Sequence, residues 1–550
     1  MQNKENSMIF KRNLVYILIC LLSIPVVAGA DSPGITVGYT TRDQQTVGAT
    51  NNRCALDSQG GAHVGWTEGD LSNRYVYYNF IDEFNGVAFG EDGVEVNQVA
   101  GAGFPTVVAN SDDAAAVAYH NFSNMALTLG IDASRGFGLF TLYDPPDNFP
   151  GGGTTFWPRV DLDINGRYHI VAVEHGMQEI TVQMIYTHST DTPDTWEPTA
   201  LVDTVTVQAY TVVTSKFDDK AAIVYAKPKN LMEPTFVNND VVYIESEDGV
   251  TWDFDNKINI TNYTNDDSIR CFNNIDAVYD PDGNLHIIWT TPLFNPITQY
   301  STPDSCMLWH WSEPTGIDMV AEGMNYSMPG SQNRSISSAN ISITENGDLY
   351  VTYCRFNDQD MSHGGFSNGD IYYTMSVDGG EFWLPEENLT NSESPGCMPG
   401  NCDNDFQLST AEFVDNNLHL YYVNDKDAGM YSGGEGELTT NPLNYLRVPV
   451  TVDVDEGGNK YVPGRFYLSP AYPNPFNAQT SLGYEVSVEG HIKLDIYNIA
   501  GQVVKTLIDG HKSAGHYTVR VDASGLASGI YYARLSAGDE SLTRKLTLLK

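Results

Sequence analysis

Two arginines of this sequence stand at matching distances before positions that a repeated pattern aligns. Arg270 and Arg334 lie six residues before Asp276 and Asn340, respectively. If the pattern repeats as one structural unit, the two arginines take equivalent places in neighbouring units. The acidic stretches NDDSIR and CDND offer oxygen ligands that suit Ca2+, although their spacing matches no defined calcium loop. Motifs for a nucleophile elbow, a zinc protease helix or a phosphate loop are absent.

The spacing of two cysteines favours a local disulfide over a metal site. In the stretch CMPGNC a Pro-Gly turn can bring Cys397 and Cys402 together as a disulfide. A structural metal would need a second close pair or nearby histidines, and the stretch has neither. We therefore expect no metal and no cofactor, with Ca2+ as the open alternative.

The beginning of the chain is typical of a secretion signal. Lys11 and Arg12 precede an apolar run over residues 14–27, and the small residues Ala28-Gly29-Ala30 suit cleavage. Residues 1–30 are thus predicted to be a signal peptide, with no membrane span after its removal.

The formal net charge of −41 disfavours nucleic acid and anionic lipid as partners, because such a surface repels phosphate groups.

These residues are positioned by a unit that recurs along the chain. Each copy has a short apolar strand, a Gly/Asp/Asn turn and an alternating strand, as in DPDGNLHIIWTTP. The gaps between the copies are 53, 53, 53, 64, 64 and 69 residues. The aligned positions are His63, Ala116, His169, Ala222, His286, Tyr350 and His419. Two of them are alanines, which excludes a ring of histidine ligands, and the rest are expected to pack between units.

Four short strands per unit and no helical periodicity describe one blade of a propeller. A unit of this size cannot bury its own apolar face, so neighbouring copies must do so. The sequence therefore predicts an all-β chain, with a seven-bladed β-propeller over residues 31–450 and a linker over residues 451–466.

Two turns between the third and fourth strands share a signature. In SVDGGEFW and the shorter SEDGVTW, Asp is expected to accept turn amides, Gly to take a positive φ and Trp to pack on a neighbouring strand. The residues are Ser246, Asp248, Gly249 and Trp252, and Ser376, Asp378, Gly380 and Trp383. This pattern resembles the Asp box (BNR repeat) of sialidase-like propellers, in which it lies opposite the active site.

The resemblance implies a catalytic set, and the sequence departs from it. A sialidase-like glycoside hydrolase would use three arginines to bind a carboxylate, a tyrosine nucleophile and a glutamate. The candidates are Arg53, Arg270, Arg334, Glu174 and Tyr422, with Tyr431 as a second phenol. However, the family's RIP segment is RCA here, and the second unit has no convincing acid. Whether the chain is an enzyme therefore stays open, and the balance favours a noncatalytic role.

The last 84 residues change character, with period-two strands that predict a small Ig-like β-sandwich over residues 467–550. They closely resemble the C-terminal sorting domain of the type IX secretion system. The matching residues include Pro473, Asn474, Pro475, Phe476, Asn477, Gly529 and Tyr531. The resemblance implies handling by the type IX machinery, and secretion or attachment to the outer surface of a Gram-negative bacterium.

Two functions are compatible with these features. The first is a secreted or surface propeller that binds an extracellular polysaccharide or a surface protein through aromatic-rich loops such as PLFNPITQY and AGMYSGG. The alternative is a sialidase-like glycoside hydrolase acting on extracellular polysaccharide.

Overall fold

The computed structural model describes most of the chain. The described residues are 31–46, 52–69, 73–122, 126–149, 153–174, 182–190, 192–230, 237–331, 333–450, 467–468, 471, 476–486, 489–513, 515–538 and 540–549. The predicted signal peptide, the predicted linker and Pro473, Asn474 and Pro475 lie outside them. Among the described residues, no helix is long and apolar enough to cross a membrane. The helical turn Tyr431–Gly433 is of the 3-10 type.

Between residues 35 and 449, the described part of the chain forms seven four-stranded antiparallel sheets, here called sheets 1 to 7. The first strand is Ile35–Thr40 (β1), which belongs to sheet 7. Sheet 1 contains Cys54–Leu56 (β2), Ala62–Glu68 (β3), Tyr75–Ile81 (β4) and Val94–Glu95 (β5). Sheet 2 contains Ala102–Ala109 (β6), Ala115–Asn121 (β7), Ala126–Asp132 (β8) and Phe140–Tyr143 (β9). Sheet 3 contains Thr155–Leu162 (β10), Tyr168–Glu174 (β11), Val182–His188 (β12) and Ala200–Thr206 (β13).

The remaining four sheets repeat this arrangement. Sheet 4 contains Tyr210–Thr214 (β14), Ala221–Pro228 (β15), Asn239–Ser246 (β16) and Ile258–Asn259 (β17). Sheet 5 contains Ile275–Tyr279 (β18), Leu285–Asn295 (β19), Tyr300–Ser312 (β20) and Gly316–Met324 (β21). Sheet 6 contains Ile336–Ile343 (β22), Leu349–Met361 (β23), Ser367–Ser376 (β24) and Glu387–Asn388 (β25). Sheet 7 contains Asn404–Thr410 (β26), Asn417–Asp425 (β27), Asn441–Pro449 (β28) and β1.

The first strands of consecutive sheets form a closed ring. β2 contacts β6, and the contacts continue through β10, β14, β18 and β22 to β26, which contacts β2 again. β1 completes sheet 7 by pairing with β28, with Ile35 opposite Tyr445 and Thr40 opposite Asn441. Apolar side chains fill the spaces between sheets, as where Val224 of sheet 4 and Ile287 of sheet 5 share a core. The all-β prediction and the four-stranded unit are confirmed.

The ring has two faces. The loop face carries the connections between sheets and the hairpins between second and third strands, including residues 41–46 and 426–440. The turn face carries the turns between first and second and between third and fourth strands, including residues 57–61 and 411–416.

Near the loop face, β6, β10, β22 and β26 each have a bulge. Phe104, Trp157, Ser338 and Gln407 take φ values of 48–56° there. Such a backbone is unfavourable for large side chains and marks a place that the surrounding structure must enforce.

Odd-numbered sheets share a buried chain of hydrogen bonds at the position that the repeats align. In sheet 3, the Nε2 atom of His169 lies 3.1 Å from Asp163 Oδ2, and its Nδ1 atom lies 2.7 Å from the Tyr186 hydroxyl. The Asp163 carboxylate can only accept, so His169 donates from Nε2 and accepts at Nδ1. The equivalent bonds join Asp280, His286 and His310 in sheet 5, and Asp415, His419 and Tyr445 in sheet 7. In sheet 1, His63 Nδ1 lies 2.7 Å from the Tyr78 hydroxyl, whereas Nε2 lies 3.6 Å from Asp57 and has no hydrogen-bond partner. Each complete chain of bonds ties the first turn of its sheet to the third strand.

The two signature turns pack on these chains from the following sheet. The ring of Trp252 lies 4.8 Å from that of Tyr186, and the Tyr186 hydroxyl oxygen lies 3.3 Å from Gly249 O. Asp248 Oδ1 accepts from the Val250 and Thr251 amides, at 3.0 and 2.6 Å. In the second turn, Asp378 Oδ1 accepts from the Ser376 hydroxyl and the Phe382 amide, and Gly380 has a φ of 90°. Trp383 packs edge-on against His310 at 5.3 Å. These turns therefore join neighbouring sheets as well as closing their own.

The C-terminal residues form two further sheets around one core. The three-stranded sheet contains Tyr467–Leu468 (β29), Gln479–Val486 (β30) and Gly515–Asp522 (β33). The four-stranded sheet contains Gly490–Asn498 (β31), Val503–Lys512 (β32), Gly529–Ala537 (β34) and Glu540–Leu548 (β35). Phe476 is buried in this core and its amide donates to Thr547 O, while the Tyr531 hydroxyl donates to Ala527 O. Asn477 is exposed and Gly529 begins β34.

Candidate functional site

Arg53, the first arginine that sequence analysis proposed, lies inside the ring where sheets 1 and 7 meet. Its guanidinium group donates to Gln407 O and lies 5.3 Å from the centre of the Tyr421 ring. The backbone amide of Arg53 donates to Ser409 Oγ. Burial lowers the pKa of Arg53 to about 10. The Nε and Nη1 atoms are buried without hydrogen-bond partners.

Arg270 and Arg334 contact one long hairpin, formed by β19 and β20, close to its turn. Arg270 lies 4.9 Å from the Phe294 ring and donates to Asn238 Oδ1 and to three backbone carbonyls. Arg334 donates to Asn333 O and weakly to Ser301 Oγ, which pairs in register with Phe294. The two arginines therefore occupy related places, as their spacing suggested, and both hold the hairpin.

Tyr422 and Glu174 lie elsewhere. Tyr422 is buried in β27, and its hydroxyl donates to Pro33 O of the segment before β1. Burial holds the pKa of this phenol well above its usual value, which opposes a role as nucleophile. Glu174 ends β11 opposite Thr155, at the loop face of sheet 3. Among the described residues, no hydrogen bond, ion pair or ring contact joins any two of the five predicted catalytic residues.

A cavity of about 850 Å3 opens on the loop face between sheets 1 and 7. Its walls come from the segment after β1, the hairpin between β3 and β4, and the long hairpin between β27 and β28. The lining residues are Thr41, Arg42, Asp43, Gln44, Gly69, Asn73, Tyr431, Ser432, Gly434 and Leu438. Tyr431 is 48% exposed at the rim. The volume lies within the range of about 300–1,000 Å3 that is typical of ligand sites in proteins.

Asp43 is the carboxyl group enclosed by this cavity. It is only 3% exposed, and burial raises its pKa. Its Oδ2 atom accepts a long hydrogen bond of 3.4 Å from the Ser432 amide, whereas Oδ1 is buried without a partner. An unpartnered buried carboxyl oxygen is costly to the fold, which makes this group a candidate for ligand contact. Burial raises the pKa of Asp43, and hydrogen bonds from Ser432, Tyr431 and Gln44 lower it in part.

Two arginines and three aromatic side chains lie below the same wall. Arg42 donates to Gln44 and lies 5.2 Å from the Phe104 ring, and Arg74 lies 5.1 Å from the same ring. Arg74 also lies 4.4 Å from the Phe122 ring and donates to His120 Nε2 at 2.7 Å. Desolvation, together with the nearby charge of Arg42, lowers the pKa of Arg74 to about 9.

Sequence reasoning did not single out Arg42, Asp43 or Arg74. A signal was available, because Arg42 and Asp43 directly follow an apolar strand, at a place where a chain that closes a ring must turn. The pairing of β1 with β28 was missing from that reasoning, and this pairing brings Asp43 to Ser432 across nearly 400 residues.

Charged groups also fill the centre of the ring near a smaller cavity of about 350 Å3 on the turn face. Lys216 Nζ donates to Asp161 Oδ1 at 2.7 Å and lies 3.4 Å from Glu412 Oε2. Desolvation raises the pKa of Glu412 to about 8 and that of Asp276 to about 7. Lys216 contacts both Asp161 and Glu412, so we expect this cluster to stabilise the ring rather than to bind a ligand.

In the described ranges, no group of three or more His, Cys, Asp or Glu residues is placed to hold a metal ion. Whether Ca2+ binds therefore stays the open alternative of the sequence analysis. Cys397 and Cys402 form a disulfide, and Cys54, Cys271, Cys306 and Cys354 are buried thiols.

Comparison with known proteins identifies the tail and gives distant structural similarities for the rest. Residues 470–548 match the family described as "Secretion system C-terminal sorting domain", which implies secretion or attachment to the outer surface. No curated protein matches the sequence.

Among solved structures, the polysaccharide lyase Uly1 is 10% identical, with a TM-score of 0.45 over 76% of this chain and 98% of its own. A fungal alcohol oxidase of the AA5 family in complex with copper is 11% identical, with a TM-score of 0.40 over 95% of this chain and all of its own. The α-L-arabinanase of Penicillium chrysogenum is 11% identical, with a TM-score of 0.39 over 63% of this chain and 93% of its own.

Proposed function

We propose that residues 31–450 are a seven-bladed, sialidase-like β-propeller that is exported and binds an extracellular polysaccharide on its loop face. Residues 451–466 are then a linker, and residues 467–550 an Ig-like sandwich that the type IX machinery recognises. The closed series of seven sheets and the two Asp-box-like turns support the propeller. The match of residues 470–548 supports the export route.

One observation carries the binding site: the loop-face cavity encloses Asp43, whose Oδ1 atom is buried and has no hydrogen-bond partner. A sugar hydroxyl supplies the donor that this oxygen lacks, and the exposed ring of Tyr431 offers an apolar face for stacking. Both groups come from loops held by the closure of sheet 7, so the cavity is a built feature of the ring.

A matched pair of tyrosine variants tests this proposal. Tyr431→Ala removes the ring at the cavity rim, whereas Tyr326→Ala removes a ring that is 75% exposed elsewhere on the loop face. An array of polysaccharides first identifies one that the secreted protein binds. For that polysaccharide, we expect Tyr431→Ala to weaken the affinity about tenfold. Tyr326→Ala should leave the affinity unchanged. Equal affinities for both variants and the natural protein would exclude this cavity as the polysaccharide-binding site. Capture of a protein partner with no polysaccharide bound would reject carbohydrate recognition.

The second candidate function is glycoside hydrolysis, and the raised pKa of Asp43 is the observation that favours it. A buried carboxyl of this kind can act as the general acid at a glycosidic bond. The release of reducing ends separates the two functions. Asp43→Asn abolishes release if Asp43 is the acid, and it leaves retention largely intact. If release occurs but survives Asp43→Asn, the set of Arg53, Arg270, Arg334, Glu174 and Tyr422 becomes the one to test.

The export route is tested by removing residues 467–550 in a bacterium that has type IX machinery. We expect the shortened chain to accumulate in the periplasm, because the sorting domain is what the outer-membrane step recognises. Residues 31–450 should remain folded, since the tail has its own core. Secretion of the shortened chain at the natural level would contradict this assignment.

A further inference from the structure

The turn between β24 and β25 differs at one position from the corresponding turns of sheets 3 and 4. In the stretches STDTPDTW, SEDGVTW and SVDGGEFW, the residue before the tryptophan is Thr195, Thr251 and Phe382, respectively. The position is structurally equivalent, because the amides of Thr251 and Phe382 both donate to the aspartate of their own turn. The two threonines are exposed, whereas Phe382 is only 7% exposed. An apolar ring that is buried at such a turn needs a contact from outside the turn.

That contact comes from the C-terminal sandwich. Gly483 is buried in β30, the middle strand of the three-stranded sheet, between Leu482 and Tyr484, which belong to the core of the sandwich. Because side chains alternate along a strand, position 483 faces outward. A Cβ atom at Gly483 would stand 1.8 Å from Phe382 Cε2 and 2.2 Å from its Cδ2. The Phe382 ring therefore lies directly against the backbone of β30, and a glycine inside a strand is typical of such a close approach.

The turn holds the Phe382 ring in place before any contact with the sandwich. The neighbouring Trp383 packs on His310 at 5.3 Å and belongs to the core that sheets 5 and 6 share. On the other side, a Cβ atom at Gly380 would stand 2.2 Å from His310 Cε1, so the turn lies close to sheet 5 as well. A ring that is fixed in this way loses little conformational entropy when it binds a second surface.

The chain also leaves the ring of sheets on the side where Phe382 lies. β28 starts after the loop-face residues 426–440 and ends at the turn face, where the Val450 amide donates to Asn416 O. Sheet 6, which carries Phe382, is the neighbour of sheet 7. Residues 451–466 can span at most about 55 Å. A tether of this length gives an effective concentration of about millimolar, so that a weak apolar contact suffices to keep the two parts together.

We infer that the turn face of sheet 6 is a docking surface for the sorting domain of the same chain, with the Phe382 ring against Gly483. This goes beyond the proposed function, because it assigns the domain a place on the ring. The cavity around Asp43 opens on the opposite face, so a docked sorting domain leaves it open. Because the contact is apolar, salt should not release the domain.

Small-angle X-ray scattering of the full chain without its signal peptide tests the docking in solution. We expect one compact particle with the same radius of gyration in about 0.05 M and about 0.5 M salt. Phe382→Thr introduces the residue that the other two turns carry, and Gly483→Val adds a side chain that suits a strand but collides with the ring. Each should reduce the ratio of docked to undocked molecules at least about tenfold and so increase the radius of gyration.

Gly510→Val is the matched control in the same sandwich. A Cβ atom at Gly510 of β32 has no atom within 4 Å in the described structure, so this variant should scatter like the natural chain. Urea unfolding checks that each variant is folded. If Gly483→Val does not fold, Phe382→Thr decides alone, because it leaves the sandwich unchanged.

Three results would overturn the docking surface. The first is a natural chain that scatters as two independently moving parts, and the second is a compact chain that Phe382→Thr does not open. The third is a Gly510→Val variant that opens as much as Gly483→Val. None of these results depends on a polysaccharide or on export, so the proposed function is tested separately.

Discussion

Replacing His169 by phenylalanine tests whether the buried hydrogen-bond chains hold the ring together. His169→Phe keeps a ring of similar size and removes both polar edges. The Tyr186 hydroxyl then loses its 2.7 Å partner and retains only a 3.3 Å bond to Gly249 O. Asp163 loses the contact at 3.1 Å and retains its bonds to Arg167 and Asn165.

The expected loss follows from those contacts. A neutral hydrogen bond contributes about 1 kcal/mol and one to a charged group about 1.5–3 kcal/mol. Because both groups keep some partners, we expect His169→Phe to lower the free energy of unfolding by about 2–3 kcal/mol. His188→Phe is the matched control in the same sheet. The His188 ring stacks on His169 at 5.7 Å, and no hydrogen bond to its ring is found in the described structure.

Urea unfolding followed by tryptophan fluorescence measures the effect, because all 8 tryptophans lie before residue 450 and report on the ring alone. His169→Phe should move the midpoint at an unchanged slope, and His188→Phe should move it by less than a third as much. The pKa of Asp163 is lowered, so its stabilisation is present above about pH 4 and is lost as the pH falls further. The difference between His169→Phe and the natural protein should shrink there. Equal shifts for both variants at pH 7 would refute this reasoning.

Three further predictions concern stability. Burial raises the pKa of Asp276 to about 7, so the folded chain binds an extra proton between pH 4 and 7 and loses stability as the pH rises through that window. Asp276→Asn should remove about 2 kcal/mol of this dependence between pH 5 and 7 in urea titrations, and an unchanged slope with pH would contradict it. Gly380→Ala should be more destabilising than Gly379→Ala, because both have positive φ but only a Cβ at Gly380 would meet the His310 ring. Equal melting temperatures for the two would exclude that contact. Loss of the Cys397–Cys402 disulfide through a double serine variant should cost about 2 kcal/mol, since it closes a short loop, and no change in the urea midpoint would show that the loop is held otherwise.

Local patterns predicted the units of the fold well. The alternation in stretches such as DPDGNLHIIWTTP indicated strands and turns, and β18 and β19 follow with His286 in place. The disulfide between Cys397 and Cys402 also forms as the Pro-Gly turn suggested. The aligned histidines were expected to pack between units, and their hydrogen bonds within their own sheets were not predicted. A spacing pattern gives the position of a side chain, whereas its partners depend on the neighbouring strand.

The candidate site was less accessible to sequence reasoning. Arg270 and Arg334 do occupy related positions, but both donate to local carbonyl and hydroxyl oxygens, and Arg334 Nε is buried without a partner. The cavity around Asp43 depends on the pairing of β1 with β28, which no local pattern specifies. Arg74 depends on Gly103 and on the bulge at Phe104, and a bulge leaves no mark in hydrophobic periodicity.

The pairing of β1 with β28 also bears on the order of events during export. Joining strands about 400 residues apart costs about 5 kcal/mol in chain entropy, so the seventh sheet forms only after β26 to β28 are present. If the chain is exported from its N-terminus, as proposed above, β1 stays unpaired until residue 449 has followed. Residues 470–548 emerge later still. A molecule that displays its sorting domain thus already has every strand it needs to close, and truncated or stalled chains lack the signal for the outer-membrane step.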